Sequence, residues 1–440
     1  MIKITDKTKK IIERDKKVFL TTTRSPYPFI ADHGDGDFAY DVEGNKFLDF
    51  TSFISVYNFG VDSLPESRAE AKAQIDKLMH AAFLDFHAEL PVEFAELLIK
   101  QFPKGFGKVF LSNSGTEAIE AALKIANVIT HKPYVIAYYN AFHGRTKGSL
   151  TLTNTKLVQR EYFGPFQNAV HVPYPYCYRC PFKQTYPECG FTCIDYIKEF
   201  PLKKEISPKE TAAFFVEPVQ GEGGYIVPPK DYFKELKKML DDKGILLISD
   251  EVQAGYMRTG EFLALDNFKV TADIYSMAKA IGAGLPLGAT IVSKKLGDIP
   301  AGSHANTFGG NLVSVAAGYA QLKYVNSNKE KLRQSIKMKS AYALERLGQM
   351  KERFECIGDI RGLGLMLAIE FVKNKRSKEP DKKIRDMIIM KCFNKGLLLL
   401  GAGESTIRLI PNLNISKDNL EKGLNIIEES IEELLSKNKK

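Results

Sequence analysis

Between residues 107 and 249 the chain alternates short, uninterrupted apolar runs with longer helical stretches. The runs are VFLS (109–112), YVIAYY (134–139), AFFV (213–216) and ILLIS (245–249). A helical pattern opens at about Thr116, and another covers roughly 231–243. A strand that is apolar at every position has both faces covered, which is the setting of a parallel sheet between two helical layers. The expected fold class is therefore α/β, with a mostly parallel sheet.

The flanks read differently. The segment HGDGDFAYDVEGNKFLDF (33–50) has short alternating runs punctuated by DGD and EGN, as turns between small strands require. After the sheet region come helical patterns at 311–325 and 329–350, a strand-like LGLMLAIEF (363–371), and helices near 381–395 and 417–435. At 440 residues the chain is too long for one small domain. The expected division is a large domain at 66–320, with a cysteine-rich insert at 175–195. A small α+β domain would combine 1–65 with 321–440.

The formal net charge of +9 is spread among acidic residues, and only Ser436–Lys440 reads as a basic tail. Without a binding motif this indicates a solvated surface, and no nucleic-acid partner is expected. No apolar run reaches the roughly 18 residues of a membrane span. The N-terminal MIKITDKTKKIIERDKK lacks the apolar stretch of a signal peptide. The expectation is a cytoplasmic protein without membrane contact, its charge compatible with small anionic substrates.

In a parallel sheet, ligands bind beyond the carboxyl ends of the strands. The residues that follow the runs are chemically unusual. After VFLS, Asn113-Ser114-Gly115-Thr116-Glu117 opens an alanine-rich helix. Its N-terminal N–H groups could hold a phosphate, or Thr116 could simply cap the helix. After ILLIS comes Asp250, a carboxylate that is costly to bury without a partner. A cationic ring nitrogen would serve, as would a nearby arginine or lysine. Lys279 lies in the small, apolar YSMAKAIG (275–282), where loss of hydration would make its amine nucleophilic.

Four of the six cysteines cluster as Cys177, Cys180, Cys189 and Cys193. The spacing is compatible with a structural zinc site, with disulfides or with free thiols. Cys356 and Cys392 are isolated and read as core residues.

Together the motifs resemble those of the class III, or ω-amino-acid, aminotransferases, whose members use pyridoxal 5′-phosphate (PLP). They are NSGTEAIEAALK (113–124), AFHGRT (141–146), EPVQGEGG (217–224), SDEVQAGYMRTG (249–260), MAKAIGAGLPLGA (277–289), TFGGN (307–311) and IRLIPNL (407–413). The resemblance runs from about Pro26 to Leu435 and implies PLP fold type I, the aspartate aminotransferase-like fold. It also implies roles. Lys279 would carry PLP covalently and shuttle the proton, and Asp250 would pair with the ring nitrogen. Phe142 and Val252 would cover the two ring faces, and Gln253 would bond the phenolic oxygen. His143 and Glu217 belong to the same cofactor shell. Gly115 and Thr116 would hold the phosphate, joined by Thr307 from a second subunit. The implied assembly is a homodimer or a dimer of dimers.

The same resemblance bears on the substrates, an amino acid and a 2-oxo acid. The position of Arg408 binds the α-carboxylate of glutamate or 2-oxoglutarate, and that of Arg145 binds a distal or sole carboxylate. Glu222 would pair with Arg408 when the bound amine has no α-carboxylate. Ile54, in FISVYNFG, matches the 4-aminobutyrate type rather than the ornithine type, which has tyrosine there. The leading pair is 4-aminobutyrate with 2-oxoglutarate. Lysine or ornithine as donor, and an amino-acid racemase of the same fold, are the alternatives. Relatives of the racemase kind carry aspartate where this chain has Glu222. Three segments depart from the family pattern: Gly60–Pro65, Leu312 after TFGGN, and Pro411-Asn412.

Overall fold

The computed structural model describes residues 2–23, 25–62, 64–164, 166 and 168–437. Ser63 of the Gly60–Pro65 departure and residues 438–440 of the basic tail lie outside the described residues. The chain divides into two compact units, Glu66–Arg333 and Met1–Pro65 with Gln334–Lys440.

The larger unit is built on seven strands: β1 (Phe106–Ser112), β2 (Tyr134–Tyr138), β3 (Ala169–Val172), β4 (Thr211–Val216), β5 (Leu246–Asp250), β6 (Ile274–Met277) and β7 (Gly288–Ser293). Their order in the sheet is β1-β7-β6-β5-β4-β2-β3. The pairs from β6 to β3 are parallel, and β7 is antiparallel to both of its neighbours. Six strands therefore share one direction and only β7 opposes them. Every residue of β4, β6 and β7 is buried, as the continuous apolar runs require.

Helix α1 (Gly115–Thr130) lies on this sheet through Ala118, Ile119, Ala121, Ala122, Leu123, Ile125 and Ala126. The alanines allow a close approach. Two hydroxyls clamp it: Thr290 and Ser276 donate to the Ala118 carbonyl at 2.8 and 3.3 Å. The cap differs from expectation. Ser114 rather than Thr116 caps α1, its Oγ accepting from the Glu117 N–H at 3.3 Å. Glu117 in turn accepts from the Asn113 N–H at 2.7 Å. Thr116 is thereby released from capping.

The smaller unit holds an antiparallel sheet ordered Ile357–Leu363, Met366–Phe371, Thr406–Leu409, Leu400–Ala402. A second sheet joins Ala31–Asp35, Phe38–Asp41 and Lys46–Asp49, with Leu397–Leu398 paired parallel to the last. Helices Lys382–Asn394 and Lys417–Lys437 complete it. Two expectations need correction. The run 363–371 is not one strand, because the chain turns at Gly364 (φ +58), where a left-handed backbone costs glycine little. The patterns at 311–325 and 329–350 form a single helix, Leu312–Arg353. Asn326 and Asn328 do not break it: the Asn326 side chain accepts from Gln101, and that of Asn328 donates back to the Tyr324 carbonyl one turn earlier, which the helix tolerates.

Candidate active site

The carboxyl ends of β1, β2, β4, β5 and β6 open on a cavity of about 330 Å³. Ten expected site residues line it: Gly115, Thr116, Phe142, His143, Arg145, Glu217, Glu222, Asp250, Val252 and Gln253; Lys279 completes the wall. Thr307 is not brought there and is exposed beyond β7. Ile54 and Arg408 belong to the smaller unit.

Asp250 closes β5 and is 5 % exposed. Its Oδ1 accepts from the Val252 N–H at 3.0 Å, and its Oδ2 lies 2.7 Å from His143 Nδ1. The partner of this carboxylate is thus a histidine, 107 residues away in sequence, rather than an arginine or lysine. Burial alone would lower the pKa of His143, but the hydrogen bond and charge of Asp250, with that of Glu217, outweigh it and raise the net value.

Glu217 ties two loops together. Its carboxylate oxygens accept from the Phe142 and Gly221 N–H groups, each at 2.9 Å. Burial raises its pKa, against the opposing pull of the His143 charge. Thus Glu217 holds Phe142 at one wall and the 221–222 turn at another. Tyr225, which the sequence reading did not single out, donates to Gln253 Oε1 at 2.6 Å and orients that amide. Its place beside the EPVQGEGG motif was the available signal.

Thr116 belongs to a hydroxyl cluster. Its Oγ1 lies 2.6 Å from Ser149 Oγ and 2.8 Å from Thr146 Oγ1. Ser149 sits in helix α2 (Lys147–Leu152), whose Ser149 N–H is accepted by Glu120 of α1 at 2.9 Å. Gly144 (φ +140) is threaded through this cluster, and a Cβ there would stand 2.2 Å from Thr116 Oγ1. At Gly115 a Cβ would stand 2.8 Å from Val252 Cγ1, so the bare backbone of α1's first turn meets the Val252 side chain directly.

Lys279 follows β6 with φ +51, a left-handed conformation that costs a non-glycine residue roughly 1–2 kcal/mol. Strain of this kind concentrates at functional positions. The buried Ala278, Ala280 and Ile281 on either side hold it. Arg145 is exposed, with its guanidinium 5.6 Å from the Phe142 ring centroid. In the smaller unit, Ile54 sits in four successive left-handed residues, Ser52–Ser55. They are held by Ser52 donating to the Ile410 carbonyl at 2.6 Å and by Thr51 accepting from the Phe53 N–H at 3.1 Å. Arg408 is buried in strand Thr406–Leu409, opposite Ala368 and Leu400.

The profile of the family described as "Aminotransferase class-III" matches residues 20–431. This chain belongs to that family. It is 35 % identical over 423 residues to a leucine/methionine racemase of Thermococcus litoralis, covering 96 % of this chain and 95 % of that protein. It is also 35 % identical over 410 residues to a probable 4-aminobutyrate aminotransferase of Bacillus subtilis, covering 91 % and 92 %. The fold matches an amine transaminase from an uncultivated Pseudomonas species, solved in its PLP-bound form, with a TM-score of 0.88, 28 % identity and coverage of 95 % and 98 %.

The cofactor of this class III protein is PLP. The cavity fits that group on its own chemistry. A buried carboxylate, held by a histidine, suits a cationic ring nitrogen. A lysine stands on the same cavity as a half-buried helix N-terminus, where a phosphate is favoured. The six cysteines are all free thiols. Among the described residues no group of three or more His, Cys, Asp or Glu side chains is placed to hold a metal ion. No described helix is long and apolar enough to cross a membrane.

Proposed function

We propose that the protein transfers the amino group of an ω-amino acid, 4-aminobutyrate foremost, to 2-oxoglutarate. The observation that carries this reading is that Arg145 and Glu222 open on the same cavity as Lys279 and Asp250. A cation at the rim is what the remote carboxylate of an ω-amino acid requires.

Lys279 would hold PLP through Nζ, and Asp250 would face its ring nitrogen. Phe142 and Val252 would enclose the ring, Gln253 would meet the phenolic oxygen, and Gly115 and Thr116 the phosphate. A second copy of the chain would add its own Thr307. When bound, PLP supplies an electron sink for the charge left on a deprotonated carbon. The chain's residues do the rest. Lys279 Nζ takes the proton from the substrate carbon that bears nitrogen. His143 orients Asp250 by its 2.7 Å contact. Arg145 orients the carboxylate, and Arg408 would bind the α-carboxylate of the acceptor.

A second reading, amino-acid racemisation, is favoured by one observation. Glu222 is a carboxylate on the Lys279 cavity, and inversion needs a second acid/base on the far side of the reacting carbon. The racemase of Thermococcus litoralis lends it weight.

The test is a half-reaction of the PLP form without any oxo acid. 4-Aminobutyrate, ornithine, lysine and single enantiomers of leucine or methionine are added separately. Absorbance and chiral chromatography follow each. Transamination predicts conversion of the cofactor to its amine form with an ω-amine. Inversion of an enantiomer without loss of PLP absorbance would replace this reading by the racemase.

A further inference from the structure

All four clustered cysteines line one small, partly open space of about 20 Å³, room for a single water-sized group. Tyr174, Tyr176, Phe182 and Phe191 form much of the remaining wall. Cys177 opens a 3₁₀ turn, Cys177–Arg179, and Cys180 closes it. At a rise of roughly 2 Å per residue, such a turn sets the two Cα atoms about 6 Å apart, within the range a disulfide spans. Cys177 is exposed and Cys180 is half-buried. One thiol thus meets solvent, with a second in reach to resolve it.

We propose that Cys177 and Cys180 form an oxidisable dithiol site that takes a low-molecular-weight disulfide as its oxidant. The Cys177 sulfur, once deprotonated, attacks that disulfide. A mixed disulfide forms and one small thiol leaves. Cys180 then attacks the Cys177 sulfur and displaces the second small thiol. Two protein thiols become one cystine, one small disulfide becomes two thiols, and no other electron carrier is needed.

The closed turn reaches the cavity wall of the large unit through Tyr174. This residue lies three positions before Cys177 and is 4 % exposed. Its hydroxyl donates to the Glu217 and Pro218 carbonyls at 3.1 and 3.2 Å. Its ring packs edge-on to Tyr138 at 4.8 Å. The Tyr138 hydroxyl lies 2.8 Å from that of Tyr232, and Tyr232 meets Phe191 of the cysteine wall. A cystine at 177–180 fixes the turn next to the tyrosine that props the 217–222 loop. Partial desolvation by the surrounding wall raises the pKa of Cys177 although the residue reaches solvent, so the thiolate is scarce at neutral pH and the exchange is base-dependent.

The test treats reduced holoenzyme with oxidised glutathione across pH 7 to 9. Intact mass should fall by two hydrogens without a retained glutathione adduct, and peptide mapping should join Cys177 to Cys180. The rate should rise about tenfold per pH unit while the thiol remains mostly protonated. In Cys180→Ser the adduct should stay trapped on Cys177. Hydrogen exchange at 217–222 should slow on oxidation of the wild type and not of Cys180→Ser. The wild-type mass and map need no variant to fold. Unchanged mass, stable glutathione adducts on the wild type, a cystine that excludes Cys177, or one bound zinc per chain shielding the thiols would each overturn the proposal.

Discussion

Alanine at Gly144 should weaken PLP binding through Thr116. The backbone there has φ +140, which an L side chain rarely adopts, and forcing it costs roughly 1–3 kcal/mol. The added Cβ would stand 2.2 Å from Thr116 Oγ1 and 2.3 Å from Ser149 Oγ, so both hydroxyls must move. Their mutual hydrogen bond, 2.6 Å in the native site, is then lost for about another 1 kcal/mol. The local cost is therefore roughly 2–4 kcal/mol. Every 1.4 kcal/mol that falls on cofactor binding is about tenfold in Kd. Titration of the apoenzyme with PLP, followed by absorbance, should show Kd raised at least about tenfold. Gly105→Ala is the control: it shares a left-handed φ, +106, but its Cβ meets nothing within 4 Å. If Gly144→Ala binds PLP within a factor of two of wild type, the hydroxyl cluster does not hold the phosphate.

Three further outcomes are expected. His143→Ala leaves the buried Asp250 carboxylate without its cationic partner and should cost about 3–5 kcal/mol in urea unfolding, with His143→Gln restoring part of it; equal stability of wild type and alanine variant would contradict the pairing. Tyr225→Phe removes the 2.6 Å bond to Gln253 and should lower PLP affinity about fivefold, roughly 1 kcal/mol, whereas unchanged affinity would detach Gln253 from the cofactor. Burial pushes Glu251 up to about 7, against hydrogen bonds from Ala264, Ser249 and Leu265. The unfolded chain releases this proton first, so stability should fall as pH rises from about 4.5 to about 7, by on the order of 3 kcal/mol, and then level off. Unfolding at pH 5 and 7.5 should show a smaller pH difference for Glu251→Gln than for wild type, and an identical difference would remove Glu251 as its source.

The parallel sheet was legible because its strands are apolar on both faces, a pattern that depends on burial alone. Asp250 was legible because it breaks that pattern at a strand end, and Lys279 because it is a lone charge in a small, apolar segment. What the sequence could not show were relations across distance. The His143–Asp250 contact joins two loops that follow different strands, and nothing local to either residue announces it. Glu217 read as one more polar group of the cofactor shell, yet both of its oxygens serve backbone N–H groups of two other loops. The left-handed backbone of Lys279 was hidden for a related reason. Glycine advertises such a conformation, whereas a lysine held there by its neighbours does not. The long helix was misread because Asn326 and Asn328 resemble a break until Gln101 and the Tyr324 carbonyl absorb their side chains.

The buried charges of the larger unit follow one rule. Each of these carboxylates is satisfied by neighbouring groups: Asp250 by Val252 and His143 and Glu217 by Phe142 and Gly221, in loops at the cavity, and Glu251 by Ser249, Ala264 and Leu265, which do not line it. Such groups gain little net stability, since desolvation offsets much of the attraction. They do fix geometry, because moving a loop would strand a buried charge at a cost of several kcal/mol. Arg145, at the rim, is under no such constraint: it is exposed, and its packing partner is the Phe142 ring. The cavity therefore combines walls held rigid by buried carboxylates with a rim cation free to follow its ligand. Substitutions at the rim should change which substrate is accepted and leave the stability of the fold nearly unchanged.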